Sequence, residues 1–185
     1  MTTRSALLLR LVKDLYADAS LNRHDNILVL NASHGLFLWP LMKMNPEGLS
    51  VAQVRTQDQF EVINHFSEEL DSLTRPEVYV CTDSGVFDEL EDGLYFALIS
   101  GRNVLSRLSE SEMLLSKIAS RLEDGGKLRL AEAIPSLSSR LSDFAEGKLK
   151  EELKKSEAKI YSSSNALVNW GPKELEEMVA QYFPN

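Results

Sequence analysis

The residue types best suited to chemistry lie in a short polar turn, Asn31 to Gly35, which follows the apolar run Ile27 to Leu30. In α/β proteins with a parallel sheet, a buried strand that leads into a helix through such a turn holds a ligand there. Gly35 would admit close approach to the backbone, and His34 could act as a base or a contact, or be a loop residue with no task. Because a cofactor-binding turn usually has two or three glycines, this turn predicts a fold more clearly than an activity.

Other sequence patterns that carry chemistry are absent. Ser84-Gly85 and Ser100-Gly101 lack the Gly-x-Ser-x-Gly pattern of a nucleophile elbow. The histidine, cysteine and acidic residues do not have metal-ligand spacing, so we predict no metal site. The sequence has no phosphate-binding loop of the Gly-x-x-x-x-Gly-Lys-Ser/Thr type, so this chain is not expected to hydrolyse ATP by itself.

The 185 residues are expected to form one domain, 1–185, with a substantial core. Both ends resemble domain boundaries, so we expect this domain to come from a longer protein. The one cysteine, Cys81, cannot form an internal disulfide. We interpret it as a small buried residue of a reduced, cytoplasmic protein.

The charge balance argues against two classes of partner. A formal net charge of −8 and a pI near 5.0 give a surface that repels phosphate backbones and anionic lipids. We therefore expect no direct nucleic-acid binding and no membrane association. No uncharged stretch approaches the roughly 18 residues that a membrane-spanning helix needs.

Short apolar runs alternate with helical patterns along the chain. Five runs predict strands buried on both faces: 26–31, 50–54, 77–81, 94–99 and 127–133. Apolar residues at three- and four-residue spacing predict helices at the N-terminus and over 37–43, 57–72, 110–122, 136–160 and 173–182. Alternating strands and helices imply right-handed crossovers and a parallel sheet. Asp124 to Lys127 reads as a turn with a left-handed glycine.

The predicted helix 136–160 has few apolar residues among many charges. Its apolar positions are Leu137, Leu141, Phe144, Leu149 and Leu153. They could form a face for a partner or contacts with the core, and we favour the core.

With this order of elements, the sequence resembles the class I S-adenosylmethionine-dependent methyltransferases over residues 20–185. Four segments carry the resemblance: Val29 to Leu36, Cys81 to Asp83, Phe96 to Leu105 and, most closely, Leu122 to Leu130. It implies an α/β, Rossmann-like three-layer sandwich with helices on both faces of a mainly parallel sheet of order 3-2-1-4-5. The terminal strands of the full methyltransferase fold are expected to be missing.

The resemblance also implies S-adenosylmethionine as cofactor. It assigns seven positions to the cofactor site: Asn31, Ser33, His34, Gly35, Arg55, Asp83 and Ser100. Asn31 replaces the usual acid of the first-strand motif and Ser33 replaces its first glycine. Arg55 stands where a carboxylate should hold the ribose hydroxyls, and arginine cannot accept a hydrogen bond. Asp83 either contacts adenine or serves only the turn around it.

A narrower resemblance concerns residues 135–170. They are similar to the methyltransferase-like region that follows an AAA+ replication-associated recombination ATPase in some bacteria. This implies an AAA+ ATPase domain in the same polypeptide and a role in DNA recombination and replication. The function we predict is an accessory or interaction module with a degenerate cofactor site. An active methyltransferase and an unrelated nucleotide or anion binder are the alternatives.

Overall fold

A computed structural model describes residues 3–105, 108–162, 164–165, 168 and 170–183. The strands are β1 (Ile27–Leu30), β2 (Ser50–Val54), β3 (Glu77–Val80), β4 (Phe96–Arg102) and β5 (Leu122–Ala131). They form one sheet of order β3-β2-β1-β4-β5 in which every neighbouring pair is parallel. The predicted Rossmann-like fold class and strand order are confirmed.

Among the residues that the structure describes, seven α-helices flank or follow these strands. They are α1 (Thr3–Tyr16), α2 (Leu38–Met42), α3 (Gln57–Ser67), α4 (Val86–Glu89), α5 (Leu108–Arg121), α6 (Gly147–Ile160) and α7 (Pro172–Tyr182). Within the described residues, no helix is long and apolar enough to cross a bilayer.

The predicted helix 136–160 is wrong in its first part. Pro135–Leu137 and Leu141–Phe144 form separate 3-10 turns, and the α-helix begins only at Gly147. The Ser138 hydroxyl bonds the Ile134 carbonyl, and Gly147 has φ +58°, a left-handed conformation that no continuous α-helix contains.

The chain groups into two compact units. The first comprises Met1–Val104 with Ser116–Ala131 and contains the whole sheet; the second comprises Leu105–Leu115 with Glu132–Asn185. In the second unit, the turn Leu141–Phe144 packs on α6. The prediction of one domain over residues 1–185 stays a prediction.

Burial in the first unit follows the position of each strand. Every residue of β1, the central strand, is fully buried, because β1 pairs on both edges and is covered by helices. At the sheet edge, β3 leaves Val80 45% exposed. Cys81, which follows it, is half-buried, so its assignment as a buried residue is corrected. The pKa of its thiol is raised, mainly because the group is partly buried and to a smaller extent because carboxylates lie nearby.

The predicted turn Asp124 to Lys127 lies inside β5, and it contains the predicted left-handed glycine. Gly125 has φ +77°, and the pairing of β4 with β5 shifts register between Phe96 and Leu98, opposite this turn. The glycine-rich segment therefore forms an irregularity within β5, after which regular pairing with β4 resumes at Lys127.

A buried tyrosine connects α1 to the middle of the sheet. The Tyr16 hydroxyl donates to the carbonyl of Phe37 at 3.1 Å and lies 2.8 Å from Ser100 Oγ. The Ser100 hydroxyl in turn lies 2.9 Å from the carbonyl of Arg129. Tyr16 is only 6% exposed, and this burial raises its pKa to about 12, although the Ser100 hydrogen bond opposes the rise.

This shift predicts a loss of stability in alkali. The fold favours the neutral phenol, so its contribution is complete below pH 10 and disappears as the pH rises towards 12. A shift of two pKa units corresponds to about 3 kcal/mol. In urea titrations, the free energy of unfolding of the wild type should fall relative to Tyr16→Phe between pH 10 and 12. The half-exposed Tyr95, changed to phenylalanine, is the control and should leave the wild-type slope unchanged.

Candidate functional site

The carboxyl ends of four neighbouring strands place six of the seven predicted site residues at one edge of the sheet and bring three of them into one cluster of hydrogen bonds. β1, β2, β3 and β4 are parallel, so the residues that follow them meet at one edge of the sheet. Ligands of open α/β sheets bind at this edge, where the strand order reverses. In this chain, the reversal lies between β1 and β4.

The turn after β1 has three residues in left-handed backbone conformation. Asn31 has φ +47°, Ser33 +54° and Gly35 +84°. Asparagine tolerates this region and glycine enters it freely, but serine adopts it at a cost. The turn is therefore tight even though Ser33 occupies the position where the family has a glycine.

A neighbouring indole occupies the space beside Gly35. A Cβ added to Gly35 would lie 2.2 Å from Nε1 and 2.5 Å from Cε2 of Trp39, four residues further along the chain. Trp39 is half-buried and packs against the core of the first unit. The glycine is thus required by the packing of this protein's own tryptophan.

A buried glutamine connects the ends of three strands. Gln53 is fully buried in β2, and its Oε1 accepts a hydrogen bond from the backbone N–H of Asn31 at 2.7 Å. Its Nε2 donates to the carbonyl of Cys81 at 2.5 Å. The side chain therefore connects the turn after β1 to the end of β3.

An ion pair lies at the ends of β2 and β3. Arg55 Nε donates to Asp83 Oδ1 at 2.9 Å, and Nη2 donates to Oδ2, so the guanidinium holds both carboxylate oxygens. Nη2 also donates to the carbonyl of Asn103 at 3.0 Å. The side chain of Asp83 is 11% exposed and that of Arg55 42%. Bidentate pairs of this kind are the stronger class of charge-assisted hydrogen bond.

A third set of contacts reaches β4. Asn31 Nδ2 donates to the carbonyl of Arg102 at 2.7 Å. This bond and the one from Arg55 to the Asn103 carbonyl connect the ends of β1 and β2 to the end of β4. Asn31 stands where the resemblance expects an acid, and its side-chain amide donates a hydrogen bond to the protein's own backbone.

The remaining predicted residues lie apart from this cluster. The Ser33 hydroxyl lies 3.0 Å from Nδ1 of its neighbour His34, whose side chain is exposed. Ser100 is fully buried, opposite Val29 in the sheet, and faces Tyr16. The structure brings Asn31, Arg55 and Asp83 together and leaves Ser100 inside the sheet.

Two residues that connect the cluster were not predicted from sequence. Gln53 is the only uncharged polar side chain in the run Val51 to Val54, and a buried amide in such a strand must find partners. Trp39 lies four residues after Gly35, the length of one helical turn, and its N–H bonds the Gly35 carbonyl at 3.0 Å. Both signals were present in the sequence.

The cluster has little chemistry left for a ligand. Its carboxylate and guanidinium bond each other, and its amide side chains bond backbone groups. The part of the chain that the structure describes contains no group of potential metal ligands. A cavity of about 180 Å³ lies at the opposite edge of the sheet, beside Ser20 and Gly126. There, Lys127 Nζ donates to the carbonyls of Asp18 and Ala19.

Comparisons with known proteins give a consistent answer on fold. No family model matches the sequence, and no curated protein matches it either. Among solved structures, the plantazolicin methyltransferase BpumL, in complex with a triazolic desmethylPZN analogue and S-adenosylhomocysteine, aligns over 97% of this chain and 62% of its own. That alignment has a TM-score of 0.61 and 15% identity.

Two further solved structures are similar. A methyltransferase of Bacillus halodurans, described there as putative, aligns over 92% of this chain and 67% of its own, with a TM-score of 0.59 and 16% identity. Coclaurine N-methyltransferase bound to N-methylheliamine and S-adenosylhomocysteine aligns over 70% of this chain, with a TM-score of 0.58 and 19% identity. This chain spans only 37% of the coclaurine enzyme's length. The shared feature is the fold: this chain has the Rossmann-like fold of the class I S-adenosylmethionine-dependent methyltransferases.

Proposed function

We propose that this chain is a methyltransferase-like domain whose cofactor site is closed by its own side chains, and that it serves as an accessory or interaction module. The observation that carries the proposal is the bidentate pairing of Arg55 with Asp83. These residues stand at the two positions where the methyltransferase resemblance expects the ribose and adenine contacts.

The chemistry of Arg55 opposes the cofactor in two ways. A guanidinium offers only donors, and it cannot replace the two oxygens of a carboxylate that accept hydrogen bonds from ribose hydroxyls. S-adenosylmethionine also carries a sulfonium charge, which a second cation repels. Asp83 is the carboxylate that pairs with Arg55, and both of its oxygens are already bonded to it.

The turn after β1 supports the same conclusion. Gly35 would normally leave room for a ligand, but the Trp39 indole fills the space beside its α-carbon. Ser33 adds a Cβ where the resemblance expects a glycine. The residues present therefore do not fit the cofactor that the fold implies.

Isothermal titration calorimetry with S-adenosylmethionine and S-adenosylhomocysteine tests this proposal. We expect no measurable binding to the wild type, whereas micromolar affinity would contradict a degenerate site. The double variant Ser33→Gly/Arg55→Asp removes one Cβ, frees Asp83 and supplies the ribose carboxylate. It should gain affinity by about tenfold or more, since each unsatisfied polar contact costs roughly a kcal/mol or more.

A matched control separates this gain from a simple change in charge. Arg23 pairs with Glu47 away from the cluster, and both side chains are more than half exposed. The variant Ser33→Gly/Arg23→Asp has the same net charge as the rebuilt one and should gain no affinity. Equal binding by the two double variants would show that Arg55 is not the obstacle.

An active methyltransferase is the second candidate. The solved neighbours favour it, since they are methyltransferases and two were crystallised with S-adenosylhomocysteine. The same calorimetry decides between the two functions, because an active enzyme must bind the cofactor without substitutions.

The partner of the module is also a proposal. The resemblance of residues 135–170 to the region that follows an AAA+ recombination ATPase supports an ATPase domain of that kind, in the same polypeptide, as the partner. A role in DNA recombination and replication, and a cytoplasmic location, belong to the same proposal. The free thiol of Cys81 is consistent with a reducing compartment.

A further inference from the structure

Helix α6 carries a stripe of three apolar residues and one serine, in which Leu153 is half-buried and the two end residues face solvent. Leu149, Leu153, Ser156 and Ile160 follow one another at spacings of four, three and four residues, which places them on one face of the helix. Leu149 is 58% exposed and Ile160 53% exposed. The interpretation of the apolar residues of this region as core contacts is therefore wrong for Leu149.

The preceding 3-10 turn enlarges the exposed apolar surface. Leu141 is 69% and Phe144 79% exposed, and their turn packs along the edge of α6 through Ser142. Ser142 Oγ donates to Glu157 at 2.6 Å, and the Ser142 N–H donates to the same carboxylate at 3.2 Å. Contiguous exposed apolar patches of several hundred Å² are characteristic of interaction sites.

The charges beside the stripe indicate what covers it. Lys150 and Glu157 lie along one edge, and Glu152 and Lys159 along the other. Each edge therefore carries one cation and one anion, seven residues apart. Such an edge is complementary to a copy of itself running in the opposite direction.

Helix geometry gives the alignment. In an antiparallel pair with Leu149 of one copy opposite Ile160 of the other, Leu153 lies opposite Ser156. The same alignment brings Lys150 to Glu157 and Glu152 to Lys159, and two-fold symmetry makes each attractive pair occur twice. The Ser156 hydroxyl already donates to the Glu152 carbonyl at 3.1 Å, so it needs no partner in the interface.

A parallel pair would be less favourable. It would place Glu152 of each copy beside Glu157 of the other and create two repulsive contacts. We propose that the stripe of α6, from Leu149 to Ile160, is a self-association surface at which two copies of this chain pair antiparallel through this helix. The proposal is independent of whether the chain binds a cofactor.

The interface should be weak. α6 has 14 residues and is about 21 Å long, so one helix face with the adjacent 3-10 turn forms a small interface. We expect a dissociation constant on the order of tens of micromolar, as for other small interfaces. Sedimentation equilibrium of the full chain over a range of concentrations measures it.

Charge reversal tests the orientation. Glu152→Lys places two cations beside each other twice per dimer and should weaken association about tenfold, and Lys159→Glu should do the same with two anions. The swapped variant Glu152→Lys/Lys159→Glu should recover the wild-type constant within about threefold. Leu149→Gln should weaken association at least about tenfold, because both copies lose an apolar contact.

The control is Lys155→Glu, which changes the net charge by the same amount as Lys159→Glu but lies outside the stripe and its edges. It should leave association unchanged. Circular dichroism should show wild-type helix content for these variants, since Glu152, Lys155 and Lys159 are exposed.

Four outcomes would overturn the proposal. The wild type could remain monomeric at millimolar concentration, or Leu149→Gln could associate as strongly as the wild type. Equal effects of Lys155→Glu and Lys159→Glu would reveal a response to net charge alone. Tighter association of Glu152→Lys would indicate the parallel arrangement, in which the new lysine meets Glu157.

Discussion

A Gly35→Ala variant is expected to lose about 2–5 kcal/mol of unfolding free energy, because two costs act at one position. The added Cβ must adopt φ near +84°, in the left-handed region that alanine disfavours by about 1–2 kcal/mol. It would also lie 2.2 Å from Nε1 of Trp39, so the indole must move. Urea denaturation of the two proteins measures the difference.

Gly93→Ala is the control that separates the two costs. Gly93 has φ +80°, almost the same conformation, but a Cβ there would meet no atom within 4 Å. Its loss should be limited to the conformational cost of about 1–2 kcal/mol. Equal losses of unfolding free energy for both variants would mean that the packing of Trp39 does not require a glycine at position 35.

This comparison bears on function as well as stability. In a working cofactor turn, glycine is needed so that a ligand can approach the backbone. In this protein, the extra unfolding free energy that Gly35→Ala loses compared with Gly93→Ala would report the clash with Trp39, with no ligand present. A large excess supports the proposal that the protein fills its own site.

The second large effect is expected at Gln53, where Gln53→Met should cost about 2–4 kcal/mol of unfolding free energy. Methionine has a similar volume but bonds neither the N–H of Asn31 nor the carbonyl of Cys81. Both backbone groups would lose a partner inside the protein. Each such loss costs roughly 1–3 kcal/mol, partly offset by the apolar character of the new side chain.

The exposed Gln57 provides the matched control. It begins α3, and Gln57→Met should change the unfolding free energy by less than about 0.5 kcal/mol, as surface substitutions do. If Gln53→Met also changed the unfolding free energy by so little, the hydrogen bonds of Gln53 would not be what holds the ends of β1 and β3 together. Amide hydrogen exchange at Asn31 gives a local readout, because its N–H should exchange faster in the variant.

The sequence was sufficient for the order and type of most elements. Continuous apolar runs such as Ile27 to Leu30 predict strands buried on both faces, because only such strands can do without polar residues. The strand order also needed the resemblance to a known fold, and the structure confirms both. One failure came at residues 136–146, where serines and a left-handed Gly147 interrupt the helical pattern. Another is the predicted helix 57–72, since α3 ends at Ser67.

The candidate site was predictable only in part. The sequence located its position, the edge that contains Asn31, Arg55 and Asp83, because parallel strands bring their carboxyl ends together. It also identified Arg55 as a departure from a ribose-binding acid. It did not show that Arg55 and Asp83 bond each other, since residues 28 positions apart meet only after the strands have paired.

The sequence by itself therefore determined that strands and helices alternate, since apolar periodicity is a local property of the chain. The strand order, and with it the edge of the sheet to which Asn31, Arg55 and Asp83 were assigned, was predicted from the resemblance to a known fold. Only the tertiary structure decided what occupies that edge. Trp39 covers Gly35, Gln53 bridges β1 and β3, and Arg55 holds Asp83. The physical reason is that hydrogen bonds and packing join groups distant in sequence, and a one-dimensional pattern lists those groups without pairing them.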